Sequence, residues 1–316
     1  MIVVFAEREG DQVKKSSLEA MAFGQDLAQN TGSTCIGVVI GGEVQTDLGK
    51  HGANKVVVVK GEALANFSPE GYSSALHMAC THVGASTVVI PSTYSGKSIA
   101  PKLAVKLDAS LTTGLVELPD TNDGFTVKKS CFSNKAFTKV SVNSSQKVLG
   151  LIPNSYEAKS YSLSAETETL NYEGSVQTTS LQIDKVQGKI VLTEAELVIS
   201  GGRGMKGPEN WTQIEELAEI LGAATACSKP VADMDWRPHN EHVGQTGITI
   251  KPNLYMAIGI SGAIQHLAGV SSSKVICVIN TDPEAPFFKV ADYGIVGDAF
   301  EVLPKLIARA RQLKAN

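Results

Sequence analysis

The chain has no CxxC pair, no excess of basic residues and no apolar run approaching the length of a membrane span. Each absence removes a class of function. Five cysteines (Cys35, Cys80, Cys131, Cys227, Cys277) are an odd number at wide spacing. That fits neither a disulfide framework nor a zinc or iron–sulfur site, so reduced, partly buried thiols are expected. Lys and Arg number 28 against 32 Asp and Glu, a formal net charge of −4, which gives no electrostatic case for nucleic acid. The cations are scattered apart from Lys305, Arg309, Arg311 and Lys314, which read as a solvated helix face. No stretch reaches the ~18–20 apolar residues needed to cross a bilayer. The opening MIVVFAEREG lacks a basic leader and turns acidic within a few residues. A soluble, cytoplasmic protein with no membrane insertion is expected. No short-period repeat is visible.

What is present is ordinary globular material. With 316 residues, 43% hydrophobic and 19% charged, the chain is long enough for two domains, each with its own core. The first part alternates β-rich runs with helical spacing. Ile2–Ala6, Thr34–Ile40, Lys55–Val59 and Thr87–Ile90 read as buried strands, and Ser16–Gln29, Tyr72–His82 and Lys97–Leu107 as the helices between them. Strands alternating with helices predict a parallel sheet covered on both faces. From about Gly124 the texture changes. Phe125–Val127, Lys139–Val142 and Lys147–Ile152 read as antiparallel strands, and the Ser/Thr/Glu-rich Ser164–Thr179 as a surface excursion or linker. After Val186 the α/β texture returns. The expected fold class is α/β, with an N-terminal parallel-sheet domain over 1–185, a doubly wound C-terminal domain over 186–316, and the boundary near residues 180–190.

Several segments carry possible chemistry. Ser95-Gly96-Lys97-Ser98 looks like the end of a phosphate-binding loop, but Pro91 stands where that pattern needs glycine and offers no N–H; it reads as a helix start. Gly202, Gly204 and Gly207 satisfy GxGxxG between a strand and the helix Trp211–Leu221. The acid a dinucleotide site needs about 20 residues later is missing: Cys227, Ser228 and Lys229 stand near there, and the nearest acids are Asp233 and Asp235. Arg203 inside the loop suits an anion or a flat aromatic ring. His239 and His242 lack a third metal ligand nearby and read as loop histidines, while Val243–Gly247 groups backbone donors, an amide and a hydroxyl. Ser261 reads as a helix N-cap with His266 about one turn inside the helix. Asn280 and Asp298 fall at strand carboxyl ends, where open α/β sheets collect ligands.

In order along the chain, GGRG…GPENW, ACSKPVAD, HVGQTG, GISGAIQHLAG, INTDPEAP and DYGIVGD closely resemble the alpha subunit of electron transfer flavoprotein, the FixB family. The specific match runs from about Leu197 to Pro304; the N-terminal region fits more loosely, best at Ser92–Gly114. The resemblance implies an FAD-binding C-terminal domain, an N-terminal domain that contacts a beta subunit in a heterodimer, and a swing of the FAD domain permitted by the linker. It places Arg203 near the isoalloxazine, Ser228 and its neighbour Lys229 at the diphosphate or ring, and Val243, Gly244, Gln245 and Thr246 along the flavin, with Thr246 near N5. It matches Ser261, Gly262, Ala263, Ile264, Gln265 and His266 to the next binding stretch, with a cationic His266 near the N1/O2 edge, where the charge would stabilise a one-electron-reduced, anionic flavin. Asn280, Asp298 and the adjoining Ala299 match the adenosine end. Two departures stand out: Lys229 replaces the family's usual arginine, which would shift the flavin potential, and Ala299 stands where relatives often carry leucine. The implied function is an electron carrier rather than an enzyme with its own substrate. It would take electrons from dehydrogenases such as acyl-CoA dehydrogenases and pass them singly to a membrane quinone oxidoreductase or another acceptor, or serve in a bifurcating complex. The rival readings are a nicotinamide-dependent oxidoreductase using the Gly202–Gly207 loop and a non-redox adenine-nucleotide-binding protein.

Overall fold

The computed structural model describes residues 1–132, 136–178 and 190–315. The chain forms two compact units, each built on its own largely parallel sheet. The expected boundary, apart from its last residue, lies outside the described residues.

In the first unit nine strands stand in the spatial order Glu166–Asn171, Lys55–Lys60, Cys35–Ile40, Ile2–Phe5, Thr87–Pro91, Lys147–Leu151, Ser110–Leu115, Thr126–Cys131 and Ala136–Ser141. The first seven are mutually parallel, and Thr126–Cys131 joins antiparallel. The period-2 rule explains why the opening strand is apolar throughout. Ile2 and Val4 enter one core with Met21, Phe23 and Leu27, while Val3 and Phe5 enter a second with Leu76, Ile99 and Leu103 on the opposite face. The helix Lys15–Thr31 lies so close to the sheet that a Cβ on Gly24 would come within 2.4 Å of a Val4 methyl. Helix Pro69–Val83 starts with Pro69 behind Ser68, whose hydroxyl accepts from the Gly71 N–H, and ends at left-handed Gly84.

Two expectations are corrected here. Lys147–Leu151 is not antiparallel; it lies between Thr87–Pro91 and Ser110–Leu115, parallel to both. Its residues after Lys147 are all buried, as a strand covered on both faces requires. Within Ser164–Thr179, Glu166–Asn171 is an edge strand parallel to Lys55–Lys60 rather than a free excursion. Its polar sequence suits an edge with mostly exposed or half-exposed positions.

The second unit is a five-stranded sheet, all parallel, in the order Ala224–Cys227, Leu197–Gly201, Leu254–Ile258, Val275–Asn280, Tyr293–Val296. Ile199, Met256 and Ile258 pack on one face with Leu217 and Leu303 from the helices Thr212–Leu221 and Ala299–Ala315. Val198, Tyr255 and Ala257 pack on the other with Phe287 and Val270. The chain leaves Leu197–Gly201 to one side, forms Ala224–Cys227, and returns to the other side at Leu254–Ile258. That reversal opens a crevice beyond the carboxyl ends of these two strands, where ligands of doubly wound sheets bind. No helix among the described residues is long and apolar enough to cross a membrane.

Candidate functional site

A cavity of about 560 Å³ occupies this crevice, a size within the range of small-molecule and cofactor sites. The carboxyl end of Leu197–Gly201 supplies Arg203 and Gly204, and that of Ala224–Cys227 supplies Ser228, Lys229 and Pro230. The following loop gives His242, Val243, Gly244, Gln245 and Thr246. Leu254–Ile258 leads into Gly259, Ile260, Ser261, Gly262, Ala263, Gln265 and His266, and Val275–Asn280 ends in Asn280.

Thirteen of the sixteen residues the resemblance assigns to the cofactor therefore share one cavity wall; Ile264, Asp298 and Ala299 do not. Ile264 is exposed, and Ala299 is buried in the core under the last helix. Asp298 accepts from the Phe300 N–H at 2.9 Å, capping that helix, and pairs with Lys206 at 3.3 Å. Those bonds hold its carboxyl below the usual range, the backbone N–H contributing most. The sequence reading does not mark Pro230, Gly259 or Ile260 and takes His242 for a plain loop histidine. The strand-end rule is the signal for Gly259 and Ile260, which directly follow the central Leu254–Ile258 strand.

The glycines allow two loops to touch. Gly204 donates its N–H to Gly259 O at 3.0 Å, and Gly202 donates to Ile258 O at 2.9 Å. A Cβ on Gly204 would lie 2.6 Å from the Gly259 Cα, and one on Gly202 would lie 2.2 Å from the Gly259 carbonyl oxygen. Their close approach is thus to protein backbone. A helix does not follow the loop directly either; two short 3-10 turns intervene before Thr212–Leu221. This is not the strand–loop–helix geometry of a dinucleotide fingerprint. In the same way Gly96 lets the helix Tyr94–Lys106 start against the Pro91 carbonyl, with Thr93 as its N-cap, so the phosphate-loop-like stretch is a helix start.

Among the described residues Arg203 and Lys229 make no ion pair or hydrogen bond and stand exposed at the cavity. Two unneutralised cations suit an anionic occupant. Asn280 is held by its neighbours: its amide donates to Ile260 O at 3.0 Å and its oxygen accepts from the Asp282 N–H at 3.0 Å, which fixes the Ile260 turn.

His266 differs from expectation in two respects. The helix is Ile264–Val270 with Ala263 at its N-cap and no side-chain cap, so Ser261 lies outside it and lines the cavity instead. The ring itself is buried against Phe287, edge-on at 5.6 Å between centroids. Its Nε2 lies 2.7 Å from the Tyr255 hydroxyl, and burial pushes that phenol up, so it stays neutral. A phenol donating to Nε2 leaves the imidazole proton on Nδ1, a buried atom with no hydrogen-bond partner. Burial and then the nearby His242 push His266 down to about 4, although the Val243 backbone favours its protonation. Before an anion enters, the ring is neutral. Without a bound anion, burial works against the cation expected at His266.

All five cysteines are free. Burial pushes the Cys35, Cys80 and Cys227 thiols up to about 12. Among the described residues no group of three or more His, Cys, Asp or Glu is placed to hold a metal ion.

Crevice, glycine-lined backbone and unpaired cations define a doubly wound α/β unit for an anionic nucleotide cofactor. The comparisons name the family. Residues 191–271 match the family model described as the electron transfer flavoprotein FAD-binding domain, and residues 2–176 the electron transfer flavoprotein domain. The chain is similar to the electron transfer flavoprotein subunit alpha of Bacillus subtilis, 36% identical over 100% of this chain and 98% of that one. The subunit alpha of Syntrophomonas wolfei is 35% identical over 98% of each chain. Protein FixB of Clostridium saccharobutylicum is 31% identical over 98% of this chain and 96% of that one. The chain belongs to the electron transfer flavoprotein alpha-subunit family, and FAD is the cofactor of its second unit. The wall fits that cofactor in charge: Arg203 and Lys229, unpaired among the described residues, are of the sign an anionic group needs.

Proposed function

We propose that the chain works as a flavin electron carrier in a cytoplasmic heterodimer with a beta subunit. It takes electrons from dehydrogenases such as acyl-CoA dehydrogenases and passes them to a membrane quinone oxidoreductase or another acceptor. The observation that carries this reading is the convergence of Arg203, Ser228, Lys229, the Val243–Thr246 loop, Ser261–Ala263, Gln265, His266 and Asn280 on one cavity. Bound FAD supplies redox chemistry in one- and two-electron steps; the protein holds and tunes it.

Each group then has a task. Arg203 and Lys229 hold negative charge at the open side, as charge-assisted donors do best for anionic oxygens. The Tyr255–His266 bond fixes the imidazole so that Nδ1–H is directed to a fixed place in the wall. Gln245 and Thr246, both exposed in the cavity, offer an amide and a hydroxyl to the polar edge of the flavin. Ile258, Ile260 and Phe287, buried beneath, keep water from the inner wall and strengthen these bonds.

The test is an absorption spectrum of the chain co-purified with its beta subunit. Flavin bands at about one FAD per heterodimer are expected from the cavity described above. A colourless, properly assembled preparation that takes up no added FAD overturns the reading.

A further inference from the structure

Two histidines, His242 and His266, share the wall of the one cavity, and they differ in their bonding. His266 has Tyr255 on Nε2. The His242 ring makes no hydrogen bond among the described residues, although the residue is only 7% exposed. Its position is tightly set. The backbone closes a loop around it: the Ile248 N–H donates to His242 O at 2.9 Å, and the Val243 N–H to Cys227 O at 3.0 Å. The ring then lies along that loop, where a Cβ on Gly247 would come within 2.8 Å of Nδ1 and one on Gly244 within 3.4 Å of Nε2. Glycine at both places gives the imidazole room. Unlike the sealed Nδ1 of His266, neither ring nitrogen of His242 is buried without a partner, so the ring is open to a group in the cavity.

The charges facing it come from every neighbouring element. Lys229 and Asp233 stand on the helix Lys229–Asp233, His239 on the turn His239–Glu241, and His266 on Ile264–Val270. Arg203 lines the same cavity. The carboxylate of Glu241, next in sequence, is held by Arg237 through two bonds of 2.8 Å. Burial first, and then Lys229 and His239, hold His242 below the ordinary imidazole range, while Asp233 alone opposes them.

We propose that His242, not His266, is the ring that takes up a proton from solvent when FAD fills the cavity, and that it acts as a positioning residue holding positive charge beside the cofactor. This rests on the FAD reading above. The diphosphate of FAD brings negative charge to Lys229, which removes that lysine's opposition and favours imidazolium. His242 wins the proton because His266 already has Tyr255 on Nε2 and its Nδ1 is sealed from solvent. Once charged, His242 opposes protonation of His266 across the cavity, so the two rings titrate as a coupled pair with only one cation at neutral pH.

The experiment uses the heterodimer, without flavin and loaded with FAD, labelled with 13C at histidine Cε1. The His242 and His266 resonances are assigned with H242Q and H266Q and followed from pH 5 to 9. On loading, the His242 midpoint is expected to rise by about one pH unit, as for a group gaining an opposite charge, while His266 stays neutral at pH 7. In parallel, the enthalpy of FAD binding is measured by calorimetry in buffers of different ionisation enthalpy. It should show net proton uptake near neutral pH that falls by more than half in H242Q and persists in H266Q. A His242 midpoint that does not rise, or a His266 that becomes the cation, overturns the proposal. If H242Q fails to fold, the wild-type titration assigned with H266Q still decides. Flavin that binds with no change at His242 sinks this inference alone; absence of any FAD uptake sinks the reading beneath it as well.

Discussion

In each unit the chain crosses from one side of its first parallel strand to the other, and the two switch points have opposite fates. In the first, the crevice lies between Ile2–Phe5 and Thr87–Pro91. Glu7, just past the first strand end, is buried there and takes hydrogen bonds from Thr93 at 2.5 Å and Ser95 at 2.9 Å, with Lys14 at 2.9 Å. Hydroxyls and a cation, groups that suit a phosphate, are turned onto the protein's own carboxylate. In the second, Gly202, Gly204 and Gly259 line the strand ends, and among the described residues Arg203 and Lys229 have no carboxylate partner. The crevice is open and cationic. Topology offers a ligand site at a switch point; the side chains next to the strand ends determine whether it is used.

The largest effect is expected from closing the open crevice. In Gly204→Val the added carbons meet the Gly259 backbone, and FAD affinity should fall by about 100-fold or more, matching about 3 kcal/mol of overpacking strain. Gly207→Ala is the control. The atoms nearest its Cβ belong to the Glu209 carboxylate, which can move, so flavin titration should give near-wild-type affinity. Equal losses in both would break the comparison.

Opening the closed crevice should damage the fold without creating a site. Glu7→Ala leaves Lys14 facing Thr93 and Ser95 without the carboxylate, a loss of about 3 kcal/mol by the measure of broken buried ion pairs. Urea denaturation reads the loss, and flavin content should stay at the wild-type value. Extra flavin in this variant would mean that Glu7 alone keeps the first unit from binding.

His266 makes the second unit acid-sensitive. Its folded pKa of about 4 lies below the ordinary 6.5. Above pH 6.5 the ring is neutral folded or unfolded, so it has no pH effect. As pH falls below 6.5 the unfolded chain binds a proton the folded one refuses until about pH 4. Flavin-free protein should therefore lose up to about 3 kcal/mol over that window. His266→Gln should flatten this part of the stability profile; an unchanged slope would show that the ring already finds a proton acceptor in the fold.

The smallest effect is expected at the mouth. Arg203→Gln or Lys229→Gln removes one charge-assisted contact each, about tenfold in FAD affinity or near 1.4 kcal/mol. The loss should shrink at high salt because both side chains are exposed. No change in either variant would remove the role given to unpaired charge.

Much of this was legible in the residues. Apolar runs such as Ile2–Phe5 and Cys35–Ile40 announce strands buried on two faces because both sets of alternate side chains must be apolar. The ordered motifs from Gly201 to Asp298 carry the family and most of the cavity wall. Lys147–Leu151 was misread because an apolar strand after antiparallel-looking neighbours gives no local sign that it inserts between two parallel strands. Glu166–Asn171 was missed because an edge strand needs few apolar residues. Asp298 looked like a ligand residue from its place at a strand end; its cap on the last helix and its pairing with Lys206 appear only in three dimensions.

The sequence by itself determined the strand and helix alternation, the glycine positions and the set of polar residues at strand ends, since these follow from local periodicity and from motif order. Tertiary structure alone decided which switch point is open, that Gly202 and Gly204 serve backbone contact, and that Tyr255 occupies Nε2 of a buried His266 while His242 lines the same cavity. Those outcomes depend on what lies across space from each group: burial, a facing charge or a neighbouring carbonyl. None of these is a property of the residue's neighbours in the chain.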